Sequence, residues 1–495
     1  MSQEKLANRQ PLIRYVNRQQ MSWRAVDVER LVDEGHPARA IWELVGRLDL
    51  SRFHDGIESN AEEGGRPAFD PHLLISLWVY AYSQGIGSAR EVARRCEYDP
   101  AFQWLTGLEE VNYHTLADFR VEKQRELDEL FTQVLAALSK EGLITLEQVM
   151  QDGTKIKALA STRSYQREPA IREHLERARQ RVAAMGDPRN EETNPKTKQA
   201  RVRARREQQE RLESALQELQ KLQAGKSGEK AKSQARVSTT DPQARVMKQS
   251  DGGLGLSYNA QISTDAAHGL IVRVAVTQDA NDTAQLLPAV DRVEERLQKK
   301  PRQMVADAGY TTRDNIEQMA KREVDFLGSM PWKNVPSGTT MPNRLAPSAF
   351  VYDPKQDCFI CPEGKWLGYE GRHTKKEGLT YYRYEAEWRD CQNCARKAQC
   401  CPENRKQGRS VVRGEESAAV LTFQQKMASE EAQVQYRRRR VVEFCHAWIK
   451  SKLGLRQFHV RGLAKVGIEL LWACLTYNLQ HWIRLSKSRA VPATT

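Results

Sequence analysis

Two strand-like runs, LSYNAQIST from Leu256 and GLIVRVAVT from Gly269, are separated only by DAAH, and this pair constrains the fold more than any other feature. Apolar and aromatic residues bounded by a short polar link read as a β-hairpin. A helical pattern follows in DTAQLLPAVDRVEERLQKK. The next stretch, PRQMVADAGYTTRDNIEQMAKREVDFLGSM, reads as strand, Asp307, helix and strand. A hairpin followed by alternating helix and strand predicts an α/β domain built on a mixed sheet. An earlier apolar strand, LEQVMQ, is expected to end at Asp152 and Gly153.

The segments around this sheet have other characters. From Pro71 to Gly142 apolar residues recur at three and four, which predicts an all-helical unit whose Arg/Lys faces allow a DNA-binding role. Between Ser161 and Thr240 there are 19 Lys/Arg against 11 Asp/Glu. Ile171, Leu175, Ala178, Val182 and Met185, then Leu212, Leu216 and Leu219, keep a heptad-like spacing on either side of GDPRNEETNP. That pattern predicts a charged helical hairpin inserted into the sheet domain, as a spacer or as an arm that tracks DNA. From about Pro331 to Gly414 the strand–helix rhythm breaks, so a second insertion is expected. The predicted division is 1–145 for the helical domain, 146–160 with 241–330 and 415–487 for the catalytic domain, and 161–240 and 331–414 for the insertions.

Carboxylates at strand ends of open α/β sheets sit where ligands bind, which makes Asp152 and Asp307 candidates. Taken singly, a strand-end Asp is more often a turn or helix cap. A third acid comes from EAQVQYRRRRVVEFCHAWIK, read as one helix. Tyr436, Arg439, Glu443 and Lys450 fall on one face of it at about 100° per residue. Val434, Val441, Phe444, Cys445 and Trp448 fall on another arc, the expected core side, so Glu443 is expected to project away from the core between cations.

The spacing Tyr436-x2-Arg439-x3-Glu443-x6-Lys450 resembles the Y-(2)-R-(3)-E-(6)-K signature of bacterial insertion-sequence DDE transposases. QDGTKIKA and VADAGYTTRDNI resemble the family's first and second Asp motifs, and RPAFDPHLLISLWVYAY and HTLADFR resemble its N-terminal helical domain. The resemblance implies an RNase H-like catalytic domain in which Asp152, Asp307 and Glu443 hold two Mg²⁺ or Mn²⁺ ions. It also implies cleavage at transposon ends followed by strand transfer into target DNA, often through a hairpin intermediate. Tyr436, Arg439 and Lys450 would contact DNA near the scissile bond, with His114 and Arg120 as DNA-binding candidates in the helical domain. A homodimer bridging two double-stranded ends is the expected assembly. Two other readings stay open: an RNase H-like nuclease that cleaves without joining, and an inactive transposase-derived repressor.

Nine cysteines, six of them in Cys358-x2-Cys361, Cys391-x2-Cys394 and the adjacent Cys400 and Cys401, suit metal binding in a reducing compartment better than a disulfide framework. Cys358, Cys361, Cys391 and Cys394 are the expected Zn²⁺ ligands of a zinc-ribbon-like insertion, with Cys400 and Cys401 as substitutes. The formal charge of +13 favours polyanionic partners. The polar start MSQEKLANRQ lacks a signal-peptide pattern, and no apolar run is long enough to span a bilayer, so a cytoplasmic protein is expected. His446, His459 and His481 show no ligand-like pairing and read as core or surface residues.

Overall fold

A computed structural model describes residues 25–55, 67–184, 195–249, 252–329, 349–374, 380–401, 407–414 and 417–490, with Gln19, Met21, Ile57 and Leu345 besides. Six helices come first: α1 (Pro37–Val45), α2 (Pro71–Ser83), α3 (Ala89–Tyr98), α4 (Pro100–Thr106), α5 (Tyr113–Glu122) and α6 (Gln124–Lys140). Their starts are written locally. Asp70, Asp99 and Asn112 accept the N–H groups of His72, Ala101 and His114 at 2.9, 3.0 and 2.8 Å, and prolines occupy the first turns of α1, α2 and α4. Helix α2 is buried from Leu74 to Tyr82 because other helices cover it on every side.

Strand β1 (Gln148–Lys157) begins the mixed sheet, which is completed after the first insertion by β4 (Arg245–Lys248), β5 (Leu254–Asp265), β6 (Leu270–Thr277), β7 (Gln303–Ala306) and β8 (Asp325–Gly328). The order is β4-β5-β1-β7-β8, with β6 also paired to β5. Pairing from β4 through β1 is antiparallel, whereas β1, β7 and β8 run parallel, so the sheet changes character at β1. Helix α10 (Leu286–Leu297) crosses from β6 to β7, and α11 (Arg313–Lys321) crosses from β7 to β8. Asp152 is thus not the end of its strand. The apolar run stops near Met150, but β5 pairs with β1 through Lys157, and a backbone ladder needs no apolar side chains.

The first insertion holds β2 (Tyr165–Arg167), α7 (Glu168–Ala183), α8 (Pro195–Ala224), α9 (Glu229–Ser233) and β3 (Arg236–Ser238). Ile171, Leu175, Ala178, Leu212, Ala215 and Leu219 form a core of their own between α7 and α8. Met185 and most of the GDPRNEETNP link lie outside the described residues. The second insertion carries a five-stranded antiparallel sheet of β9 (Val351–Asp353), β10 (Cys358–Ile360), β11 (Trp366–Thr374), β12 (Thr380–Ala386) and β13 (Ser410–Gly414), with α12 (Trp388–Gln392) and α13 (Lys397–Cys400). Residues 330–344 of that insertion are outside the described set.

The chain returns to the first sheet through α14 (Ala418–Ala428), α15 (Glu430–Arg437), α16 (Arg440–Ser451) and α17 (Leu463–Ala490). Helix α17 packs on β6 and on α2 and α6 at once, so one apolar core runs from the N-terminal helices into the sheet. Asn478 on α17 satisfies both backbone groups of Ile271, at 2.9 and 2.7 Å. Arg292 of α10 adds an ion pair to Asp128 of α6 at 2.6 Å. Among the described residues no helix is long and apolar enough to cross a membrane.

Candidate active site

Strands β1 and β7 pair in parallel up to Gln151 and Ala306, where β7 stops. The next residue on each is an aspartate, so Asp152 and Asp307 stand side by side on one face. The backbone N–H of Gly153 donates to Asp152 Oδ1 and that of Gly309 to Asp307 Oδ1, both at 2.8 Å. Burial raises the Asp152 carboxyl to about 7, Asp307 and Asp282 push it the same way, and Arg439 opposes them.

Helices α15 and α16 cross this face. The expected single helix is interrupted: Arg438, Arg439, Val441 and Val442 donate to carbonyls three residues back, a tighter 3₁₀ turn between α15 and α16. The expected core face is met in part. Cys445 is buried and Val441 and Trp448 pack against the core, whereas Val434 and Phe444 are half exposed and Val442, His446 and Ile449 are buried in addition. On the polar stripe, Arg439 and Lys450 border the sheet half-buried, while Glu443 between them is exposed, away from the core.

The stripe's neighbours reach both aspartates. Arg439 Nη1 donates to Tyr436 Oη at 3.0 Å, and burial raises the Tyr436 hydroxyl, with the charge of Asp307 adding to it. Lys450 Nζ donates to Thr154 Oγ1 at 2.5 Å, two residues beyond Asp152. Glu443 lies on the helix between these contacts, exposed and without a hydrogen bond or ion pair among the described residues.

Sequence reasoning missed two residues here. His446 is buried with Nδ1 3.5 Å from Asp152 Oδ2, and its Nε2 has no partner. Burial and Lys450 lower it to about 4, so the ring is neutral at pH 7. Asp282 lies on the opposite face of β1, where its Oδ1 accepts from Asn259 and Gln261 at 2.6 Å each and from Lys155 at 3.3 Å. Gly153 leaves the room for it, since a Cβ there would stand 2.6 Å from Asp282 Oδ1. The signal was available in β5, where Ser257, Asn259, Gln261 and Ser263 put polar groups at alternate buried positions that need partners.

The donor set suits a divalent cation. Asp152 and Asp307 are hard oxygen ligands on one face, and Asp152 keeps its proton to about 7 beside neighbouring carboxylates. Among the described residues no three His, Cys, Asp or Glu side chains close on a common point.

Of the helical-domain candidates, His114 is exposed at the start of α5 with its ring against Tyr113. Arg120 is a correction. It is buried, with its guanidinium 4.8 Å from the Trp78 ring centroid and 3.8 Å from Glu469, and it donates to the Gly87 carbonyl. Its role is to hold α17 against the N-terminal helices, where DNA cannot reach it.

The cysteine set also changes. Cys358 sits in a strand, so a residue three positions on faces the other way, and Cys358 is buried near Asp353 and Asp357. Burial raises the Cys391 thiol, and its sulfur neighbours are Cys401, Cys394 and Cys361. Backbone N–H groups of Lys365 and Arg409 donate to Cys361 Sγ and Cys391 Sγ at 3.2 and 3.4 Å, a pattern that favours thiolates.

Comparison with known proteins follows the same lines. A family model described as the transposase DDE domain matches residues 236–479, and one described as a transposase domain matches residues 26–122. The first span contains Asp307 and Glu443 and begins after β1. No curated protein matches. Among solved structures, a piggyBac transposase synaptic complex with hairpin DNA aligns over 92% of this chain and 86% of that one, at 8% identity. The TM-score of that alignment is 0.25. On the strength of the two family matches, which together take in most of the chain, it belongs to the insertion-sequence DDE transposases, with an N-terminal transposase domain ahead of the DDE domain.

Proposed function

We propose that this protein is an active DNA transposase that cuts double-stranded transposon ends and joins them to target DNA. Asp152, Asp307 and Glu443 are its catalytic carboxylates on an RNase H-like sheet. The observation that carries the reading is the register of β1 and β7, which sets Asp152 beside Asp307 under a helix pair whose residues reach both.

The three carboxylates would hold two Mg²⁺ or Mn²⁺ ions, which stabilise the attacking and leaving oxygens of an in-line phosphoryl displacement. The chain's own residues do the rest. Arg439 and Lys450 bind phosphates flanking the scissile bond, and Tyr436, fixed by Arg439, orients the terminal nucleotide. Neutral His446 keeps positive charge off Asp152, leaving the carboxylate free for the cation. Asp282 and its amide partners fix the shape of β1 from behind.

In this reading residues 1–145 bind DNA through exposed groups such as His114. Residues 146–160, 241–330 and 415–487 form the catalytic domain. Residues 331–414 hold a structural Zn²⁺ on Cys361, Cys391, Cys394 and Cys401 instead of Cys358. The protein works in the cytoplasm as a homodimer bridging two ends.

The test is cleavage of a labelled duplex carrying the element's own end, in Mg²⁺, by wild type and Glu443→Gln. Wild type should release a 3′-OH while the variant binds and does not cut. Binding by both with cleavage by neither, under any divalent ion, would sink the enzyme reading.

A further inference from the structure

The helical insertion carries a cationic pocket of about 450 Å³ where it meets the sheet domain. Its lining includes His174, Arg177 and Arg181 from α7, Arg211 from α8, Thr240 and Arg461, and no carboxylate. Several arginines elsewhere on the hairpin are paired, Arg172 with Glu168 at 2.7 Å, Arg179 with Glu213 at 3.2 Å and Arg203 with Glu207 at 2.9 Å, while Arg205 donates to the Arg181 carbonyl. In the pocket only Arg177 has such a partner, the exposed Glu173. Arg181, Arg211 and Arg461 form no ion pair among the described residues, and the carboxylate whose charge Arg461 meets, the buried Asp241, does not line the pocket.

Unpaired guanidiniums brought together from three separate elements repel one another, and an anion seated among them removes that cost. We infer that this pocket takes a backbone phosphate of duplex DNA, an inference that rests on the function proposed above. The position suits it. Arg461 Nε donates to the Leu159 carbonyl at 3.2 Å, and Leu159 follows Asp152 by seven residues along β1 and its extension. At about 3.3 Å per residue Leu159 lies at most roughly 23 Å from the carboxylates. Duplex DNA advances about 3.4 Å per base pair, so the phosphate engaged lies within about seven base pairs of the scissile bond. The hairpin is then a clamp on the duplex flanking the cut, and it reads backbone, not sequence.

The test is the salt dependence of binding to a fluorescein-labelled duplex of mixed sequence, by wild type, the double variant Arg181→Gln/Arg211→Gln, and the double variant Arg172→Gln/Arg203→Gln. Both variants lose two positive charges from the same hairpin, but only the first empties the pocket. Each phosphate contact contributes about 0.9 to the slope of log affinity against log salt. The pocket variant should flatten that slope by about 0.9, the one phosphate the pocket holds, and the control should not. Equal flattening by both, or by neither while wild type binds, overturns the inference and leaves the proposed function standing. Failure of wild type to bind the duplex at low salt overturns both.

Discussion

Replacing Asp152 by asparagine should stabilise the metal-free protein while abolishing its chemistry, and by an amount that depends on pH. The folded-state pKa is about 7 against an ordinary 3.8, raised by burial and by Asp307 and Asp282. A raised folded pKa gives a contribution fully present below the unfolded value and lost as pH climbs through the folded one. At pH 8 ionising Asp152 in the folded chain costs about 4 kcal/mol relative to the unfolded chain, and at pH 5 about 1.5 kcal/mol. The larger figure is a ceiling, because 27% of the side chain still meets water. Asp152→Asn keeps the shape and never ionises, so its stability advantage should grow between pH 5 and pH 8. Urea unfolding in EDTA, followed by tryptophan fluorescence, measures this, since Trp78 and Trp472 report on the core that α2 and α17 share with the sheet. Adding Mg²⁺ should raise the midpoint of wild type and leave the variant unmoved. An advantage of equal size at pH 5 and pH 8 would refute the reasoning.

Glu469→Ala leaves Arg120 buried without its carboxylate and removes the acceptor of the His459 backbone N–H at 2.9 Å. The expected loss is about 3–5 kcal/mol in denaturant unfolding, with Arg120→Ala similar in size. Gly153→Ala drives a methyl against Asp282 and Gln261, so cleavage should fall sharply while duplex binding persists, at a stability cost of about 1–3 kcal/mol. In metal analysis of the purified protein, Cys391→Ser should lose bound zinc, whereas Cys358→Ser should retain it.

The sheet was largely legible because its signals are local. The hairpin of β5 and β6 shows in its strand runs and in the link that ends at Gly269, whose φ of 69° suits glycine. Asp307 at the end of β7 was legible for the same reason, since an apolar run stops there. Other features depended on partners distant in sequence. Asp152 was placed at a strand end because its own segment turns polar, while β5, about a hundred residues on, keeps the strand going. The break at Arg438 and Arg439 has no proline or glycine to announce it, and arginine is a good helix former. His446 was read as a bystander, and it is the residue that α16 turns toward Asp152 in place of Phe444. Asp282 is the first residue of the helical pattern DTAQLLPAVDRVEERLQKK, and its three partners come from β1 and β5.

The location of the candidate site follows from the change of strand direction at β1. Its antiparallel neighbour β5 continues to Lys157, but its parallel neighbour β7 ends at Ala306. Beyond that point one edge of β1 has no strand beside it until the isolated bridge between Lys157 and Gln457. A crevice of this kind at a topological switch point is where open α/β sheets accept ligands. Here the crevice begins at Asp152, Asp307 closes one end, and Lys450 over Thr154 closes the other. Asp152 and Asp307 thus lie at one end of the open edge and Lys450 at the other. Negative groups near β7 leave a demand for metal, and positive groups along α16 leave a demand for phosphate. A nucleic-acid backbone bound through divalent ions meets both demands, whereas a free anion or a free cation would meet only one.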